Sequence, residues 1–364
     1  MTCHTAARDR TFALMRNLLL TCLIPLAGVA ATASAQQAPS PDRPAVLIVA
    51  TGGTIASTNY YSGNSAKIGI GQVLEAVPAL DSVARVSTQQ FANVASTQVS
   101  PAMWLDLSRS ITDSLRARPE LAGVVVTHGT DALEETAYFL DLTVAGPRPV
   151  VVTGAMRPAD GIGIDGPANL YDAVRVVADS ASRGRGTMVV MNDQVLAARD
   201  ATKANTTRPD AFVSNRGPLG NVDPERIVFF SAPQRPPAFD LSGVTELPRV
   251  DIVYTYLGAD GAAVDALVAA GAKGIVVAGS GRGAVPPLES RALRRAVEQG
   301  VVVVSGSRTG SGSIPVGTGR TNDGSPRTVG AGDLNVQKAR ILLMLALTQS
   351  SDPAAVARIF SQHQ

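Results

Sequence analysis

Beyond residue 35 this sequence has no cysteine: its two, Cys3 and Cys22, both lie within the first 35 residues. A disulfide framework, a thiolate nucleophile and a zinc–thiolate site are therefore excluded for residues 36–364. Histidine is nearly as scarce. Of the three, His4 sits in the same leader and His363 is the penultimate residue, which leaves His128 inside the body of the chain. A multi-histidine metal site cannot be assembled, and a serine–histidine–aspartate triad would have to use His128. Net charge is lacking too. Arg8, Arg10 and Arg16 against Asp9 account for the whole formal charge of +2, so residues 36–364 are formally neutral. A nucleic-acid partner, which calls for a basic surface, is not expected. Aromatic residues make up only 4% of the chain. With abundant alanine, glycine and valine, this is the composition of a tightly wound α/β protein rather than of a disordered chain.

The leader reads as a secretory signal. Three arginines precede an apolar run, Leu18–Ala30, and Ala33-Ser34-Ala35 matches the small-residue cleavage pattern. The run is shorter than the ~20 apolar residues a spanning helix needs. Cleavage after Ala35 is expected, with Met15 as an alternative start. The competing reading is an uncleaved N-terminal anchor. No later segment is apolar enough to span a bilayer. The expected location is outside the cytoplasm, and periplasmic if the source has an outer membrane, with no membrane attachment after cleavage.

The remaining chain is longer than one core usually serves, which predicts two domains. From Pro44 onward, short β-branched runs alternate with amphipathic stretches. Ala45–Ala50 ends in Thr51-Gly52-Gly53-Thr54, Gly123–Val126 in Thr127-His128-Gly129-Thr130-Asp131, Pro149–Val152 in Thr153-Gly154-Ala155-Met156, and Thr187–Met191 in Asn192-Asp193. Uninterrupted runs of this kind are strands covered on both faces. Between them, Met103–Ala117 reads as a helix with Ser100 as cap and Pro101 first. A second helix starts near Asp131, its apolar stripe at Leu133, Ala137, Leu140 and Val144. Tyr171–Ala181 is a third. A proline-rich stretch, 232–250, reads as a linker between residues 36–231 and 251–364. After it the pattern resumes, with strands at Ile252–Tyr256, Gly274–Ala278 and Val301–Val304. Helices are expected at Ala262–Ala270, Leu288–Glu298 and Asn335–Leu347, and a last one is capped by Asp352-Pro353. The predicted fold is α/β: two doubly wound domains, a larger N-terminal one with a mainly parallel sheet and a smaller C-terminal one.

In open α/β sheets, ligands bind beyond the carboxyl ends of the strands. Two strand ends here deliver a threonine directly after a glycine, Gly53-Thr54 and Gly129-Thr130. Glycine lets backbone amides approach a ligand, and such amides can stabilise an oxyanion. Paired hydroxyls at one pocket suggest nucleophilic catalysis, which requires a base. The candidates are His128 and Lys203, the latter in Arg199-Asp200-Ala201-Thr202-Lys203. Tyr60 and Tyr61 lie on a Ser/Asn/Gly-rich loop, 57–65, that could close as a lid. Taken singly, each feature has a plainer reading. A Gly-Gly-Thr can be a tight turn, His128 a structural strand-end residue, Lys203 a solvated lysine and the tyrosines loop aromatics.

Together these blocks resemble the bacterial type II L-asparaginases. The resemblance runs from about Val46 to the C-terminus and rests on several motifs in order. They are Ala50–Ala56, Thr127–Asp131 continued by Glu134-Glu135-Thr136-Ala137, Gly154–Pro158, Asp165–Leu170, Arg199-Asp200 with Lys203, and Leu334-Asn335 with Gln337–Arg340. It implies hydrolysis of the side-chain amide of L-asparagine to L-aspartate and ammonia, with L-glutamine as a possible second substrate. It also implies roles. Thr54 matches the nucleophile that forms an acyl-enzyme. Thr130, Asp131 and Lys203 match a second catalytic group, in which Asp131 also holds the substrate ammonium. Ser96, in Asn93-Val94-Ala95-Ser96-Thr97, matches the serine that binds the α-carboxylate, with Gly53, Thr97 and Gly129 beside it. The lid tyrosine falls near Tyr61, with Tyr60 adjacent. A homotetramer is implied, each site completed by a neighbour's second domain, and neither a metal nor an organic cofactor is implied.

Two departures stand out. Gly281-Arg282-Gly283 occupies the place of the family's Gly-Asn-Gly. Residues 311–323 hold no glutamate where a neighbouring subunit would supply one, and Arg320 falls near that place. Exchanging a carboxylate for cations predicts weaker ammonium binding. The alternatives are an amidase of the same fold acting on a larger or modified amide, and a periplasmic solute-binding protein. A receptor would have no need of Thr54, Thr130 and Lys203 together.

Overall fold

The uninterrupted β-branched runs become the central strands of a sheet covered on both faces. The computed structural model describes residues 42–59, 65–319 and 328–364. The first half begins with β1 (Ala45–Gly52), a small hairpin of β2 (Ser57–Thr58) and β3 (Ala66–Lys67), and two short helices, α1 (Ile70–Glu75) and α2 (Leu80–Val83). It continues through β4 (Arg85–Val94), α3 (Pro101–Ala117), β5 (Leu121–Thr127), α4 (Leu133–Thr143), β6 (Val150–Thr153), α5 (Gly166–Ala178) and β7 (Thr187–Met191). Five short strands complete it: β8 (Gln194–Ala197), β9 (Ala201–Lys203), β10 (Phe212–Ser214), β11 (Gly220–Val222) and β12 (Ile227–Phe229). The second half runs β13 (Val250–Tyr254), α6 (Ala262–Ala269), β14 (Gly274–Gly279), α7 (Pro287–Glu298), β15 (Val302–Ser307), β16 (Thr318–Gly319), β17 (Thr328–Gly330), α8 (Val336–Leu347) and α9 (Pro353–Gln362).

The large sheet has the order β12-β11-β8-β7-β6-β5-β1-β4. Its β4, β1, β5, β6 and β7 are parallel neighbours, while β8, β11 and β12 join antiparallel. Alternate residues of β1 face opposite layers. Val46, Ile48 and Ala50 pack with α5, and Ala45, Leu47 and Val49 with α3 and α4. That alternation, with both faces apolar, is what a sheet buried between two helical layers requires. The second sheet, β13-β14-β15-β17-β16, is parallel except for β16. The expected α/β architecture with a larger, mainly parallel first sheet is therefore present.

Some element boundaries differ from expectation. α5 starts at Gly166 rather than Tyr171, since Pro167 is tolerated in a first helical turn, and it stops at Ala178. α4 starts at Leu133 rather than near Asp131, because Asp131 lies in the turn before it. β4 has no expected counterpart. Its sequence, RVSTQQFANV, is polar and only partly buried, as suits an edge strand. The caps were legible: Ser100 accepts from the Met103 amide and Asp352 from the Ala355 amide.

Residues 230–249 hold neither helix nor strand, yet they are anchored, with Phe239 and Leu247 buried. Both join one apolar core in which Trp104, Tyr138 and Phe139 of the first half meet Leu342 and Phe360 of the second. α4 packs on α8 across this core, and the described residues form a single compact unit.

Candidate active site

Because β4, β1 and β5 are consecutive in the sheet, their carboxyl ends deliver three segments to one place. Gly52 and Gly53 have φ of +110° and +87°, a region that favours glycine. A Cβ on Gly53 would stand 2.3 Å from both the Cα and the N of Gly129, and one on Gly129 would stand 2.9 Å from the Ser96 Oγ. The two threonine-bearing turns thus touch backbone to backbone, and Ser96, which is buried, closes the third side. Thr97 points to solvent. The Gly53 amide donates to the Val94 carbonyl at 3.0 Å, so it is unavailable to a substrate.

Thr54 opens a 3-10 turn, Thr54–Ala56, held by the Ser57 hydroxyl donating to the Gly53 carbonyl at 2.7 Å. Thr54 is half-buried, and its hydroxyl has no hydrogen bond among the described residues. Thr51, by contrast, is buried and donates to the Thr127 carbonyl at 2.9 Å, tying β1 to β5.

Lys203 reaches this place from β9. Its Nζ lies 2.9 Å from Thr130 Oγ1 and 2.6 Å from Asp131 Oδ1. Thr130 is buried, Lys203 is largely covered and the Asp131 side chain is 59% exposed, so the acid faces outward. Gly53, Thr54, Ser96, Gly129, Thr130, Asp131 and Lys203 therefore converge. Tyr60, Tyr61 and Arg320, like the leader, lie outside the described residues.

His128 is accounted for by its surroundings. It is fully buried, with Nδ1 2.8 Å from the Gly129 carbonyl and Nε2 3.0 Å from Thr136 Oγ1, which in turn accepts from Trp104 Nε1 at 2.9 Å. The polarity is consistent along the chain: indole to hydroxyl, hydroxyl to imidazole, imidazole to carbonyl. Burial pulls its pKa down to about 4, so the ring is neutral, and both nitrogens are occupied. His128 orients the Gly129 carbonyl and has no lone pair left for use as a base.

Two further motif blocks are scaffold. The Asp165 carboxylate accepts from the Met156 and Arg157 amides, each at 2.9 Å. Asn169 donates to the Gly154 carbonyl at 3.0 Å and accepts from the Asn192 amide at 2.9 Å. Behind the site, Arg199 pairs with Asp200 at 2.7 Å and with Asp333 at 2.5 Å. Sequence reasoning gave no role to Glu134, Asn335 or Lys338, which lie behind Lys203. The available signal was a lysine in the first turn of α8, ahead of the apolar run 341–347.

A family model described as Asparaginase, N-terminal, matches residues 45–235, and one described as Glutaminase/Asparaginase C-terminal domain matches residues 249–360. This chain belongs to the asparaginase family. It is 43% identical to L-asparaginase 2 of Escherichia coli, over 88% of this chain and 93% of that protein. It is 41% identical to a probable periplasmic L-asparaginase of Haemophilus influenzae, over 88% and 93%. The crystal structure of a probable cytoplasmic L-asparaginase from Campylobacter jejuni superposes with a TM-score of 0.81 at 40% identity, covering 88% of this chain and 99% of that one.

Within this asparaginase fold, the second sheet presents its own strand-end loops. Arg282 is exposed and makes no hydrogen bond or ion pair among the described residues. Arg308 donates to the Thr255 carbonyl at 3.0 Å. Both line a cleft of about 880 Å³ with Arg216 and Asp333. The cleft reaches Thr202 but is not lined by Thr54, Thr130 or Asp131.

Proposed function

We propose that this protein hydrolyses the side-chain amide of L-asparagine to L-aspartate and ammonia through an ester on Thr54. The observation that carries this reading is the contact of Lys203 with Thr130 and Asp131, next to the turn that bears Thr54. In the first half-reaction the Thr54 hydroxyl adds to the amide carbon, and the C–N bond breaks as nitrogen takes up a proton and leaves as ammonia. Water then adds to the ester, and the Thr54 hydroxyl is regenerated as the carboxylic acid departs. Thr130 and Lys203 form the hydroxyl–amine pair that moves protons in this cycle. Tyr61 is assigned to the lid beside Thr54. Asp131 is exposed enough to meet a substrate ammonium, and Ser96 with Gly129 is assigned to the carboxylate end, where Gly53 serves by close backbone approach and not by its amide, and Thr97, facing solvent, is left at the margin.

L-Glutamine is proposed as a second substrate, in line with the description of the C-terminal family model. A homotetramer, export through cleavage after Ala35 and the domain limits 36–231 and 251–364 complete the proposal. A second reading, an amidase for a larger amide, is favoured by the unpartnered Arg282 on a wide cleft. Ammonia release from L-asparagine and L-glutamine by residues 36–364, with Thr54→Ala as control, tests the first reading. Release from asparagine that vanishes in the variant is expected. No release from either amide, but release from a larger one, would move the assignment to the second reading.

A further inference from the structure

Behind Lys203 lies a closed polar cluster that the proposed chemistry leaves unused. Lys338 enters it from α8, in the second half of the chain. It is 1% exposed, and its Nζ donates to the Ala201 carbonyl. Asn335 caps the same helix, accepting from the Lys338 amide at 2.9 Å, and its Nδ2 donates to Thr202 Oγ1 at 3.3 Å. Ala201 and Thr202 are the first two residues of β9, and Lys203 is the third. From the other side comes Glu134, 6% exposed, in the first turn of α4 just after Asp131. The Thr202 hydroxyl, the Lys203 amide and the Asn335 side chain favour its charged form, while its Oε2 is buried with no hydrogen-bond partner among the described residues.

β9 pairs only with β10, residue for residue over three positions. A two-stranded ribbon of that length is marginal by itself. Its ladder cannot keep a lysine side chain within hydrogen-bond reach of Thr130, and a displacement of about 1 Å at such a group costs up to about a hundredfold in rate.

We propose that Lys338, with Glu134 as its counter-charge, is a positioning residue: it fastens β9 to the second half of the molecule so that Lys203 meets Thr130 and Asp131. The inference rests on the reading of Lys203 as a catalytic group. Burial draws Lys338 down to about 8, against Glu134 and Asp141 of α4 and Asp200 of the turn before β9, while Arg199 of that turn draws it further down. Burial raises Glu134, with Lys338 opposing. Lys338 therefore acts as an ammonium below about pH 8 and loses that charged grip as pH rises.

Lys338 and Glu134 act on each other through space without a direct ion pair, and removal of one buried charge leaves the other uncompensated, whereas removal of both does not. This separates positioning from mere charge balance. The experiment measures kcat and KM for L-asparagine against pH, together with melting temperature. It uses the wild type, Lys338→Met, the double variant Lys338→Met/Glu134→Gln, and Lys203→Met as reference. The expected result is a kcat near neutral pH lowered by about a hundredfold in both Lys338 variants, with KM within about twofold. The double variant regains the wild-type melting temperature but not its kcat, and the kcat deficit narrows above about pH 9, where wild-type Lys338 has shed its proton. A double variant that regains kcat together with melting temperature overturns the inference, as does a Lys338→Met variant with wild-type kcat. If Lys203→Met itself keeps wild-type kcat, the catalytic reading falls and this inference falls with it.

Discussion

The two sheets of this molecule end their central strands in similar ways and to different effect. In the first, the turns after β1 and β5 touch at Gly53 and Gly129, and beside them a covered Thr130 and Lys203 are hydrogen-bonded to each other and to the outward-facing Asp131. In the second, the turn after β14 folds back on its own strand end: a Cβ on Gly279 would stand 2.6 Å from Gly283 of that same turn, and one on Gly283 would stand 2.4 Å from Ser305 Oγ of β15. There the side chains are exposed and cationic, with Arg282 unpartnered and Arg308 held to a backbone carbonyl. Glycine thus permits close backbone approach in both halves, between two turns at the candidate pocket of the first and within one turn at the open, positively charged rim of the second. What differs is burial, which makes hydrogen bonds among charged groups strong in the first half, whereas solvent screens the charges of the second.

The sharpest way to break this contrast is to remove the covered Lys203 side chain. Lys203→Met is expected to lower kcat by roughly a thousandfold, read by ammonia release, whereas Arg282→Met leaves kcat unchanged. A comparable loss in both would erase the distinction. Next come the glycines. Gly53→Ala drives a methyl into the Gly129 backbone at a φ of +87° and is expected to cost about 3 kcal/mol in denaturant unfolding. Gly281→Ala meets nothing within 4 Å at its φ of +52° and should cost about 1 kcal/mol.

His128 sharpens the contrast through pH. Its folded pKa of about 4 lies below the ordinary 6.5, so between these values the unfolded chain binds a proton that the folded chain refuses. Stability therefore falls as pH drops through that window, by at most roughly 3 kcal/mol from this group. His128→Gln should remove that part of the acid sensitivity while keeping most of kcat, seen as a wild-type-minus-variant difference that shrinks toward pH 4. A large kcat loss in a folded His128→Gln would restore histidine to the chemistry. The smallest effect is expected at the rim. Arg282→Asn should lower KM for L-asparagine by roughly threefold at low salt, with the effect fading as salt rises.

Much of the scaffold was legible because each signal is local. The runs of β1, β5 and β6, the stripe on α4 and the caps Ser100 and Asp352 announce their elements without reference to the rest of the chain. β4 was not legible, since an edge strand with a polar face carries no apolar run. The antiparallel strands β8 to β12 were missed because three- and four-residue strands are defined by their partners. At the site, the threonines and Lys203 were found by position and by family resemblance, but the sequence left His128 and Lys203 as rival bases. The three hydrogen-bonded links from Trp104 to the Gly129 carbonyl, which remove His128, join residues from α3, α4 and the turn after β5 that no spacing relates.

By itself, then, the sequence determined the chemistry on offer. Beyond residue 35 it has no thiol and no metal-binding histidine cluster, and it places hydroxyls after glycine at strand ends in an α/β chain, because composition and periodicity are properties of the chain alone. Only the tertiary structure decided which of those groups meet. Lys203 contacts Thr130 across 73 residues and Lys338 contacts Ala201 across 137, distances in sequence that only a folded core closes. Burial then set the charge state of His128 and Lys338, because desolvation acts on where a group ends up and not on its neighbours in the chain.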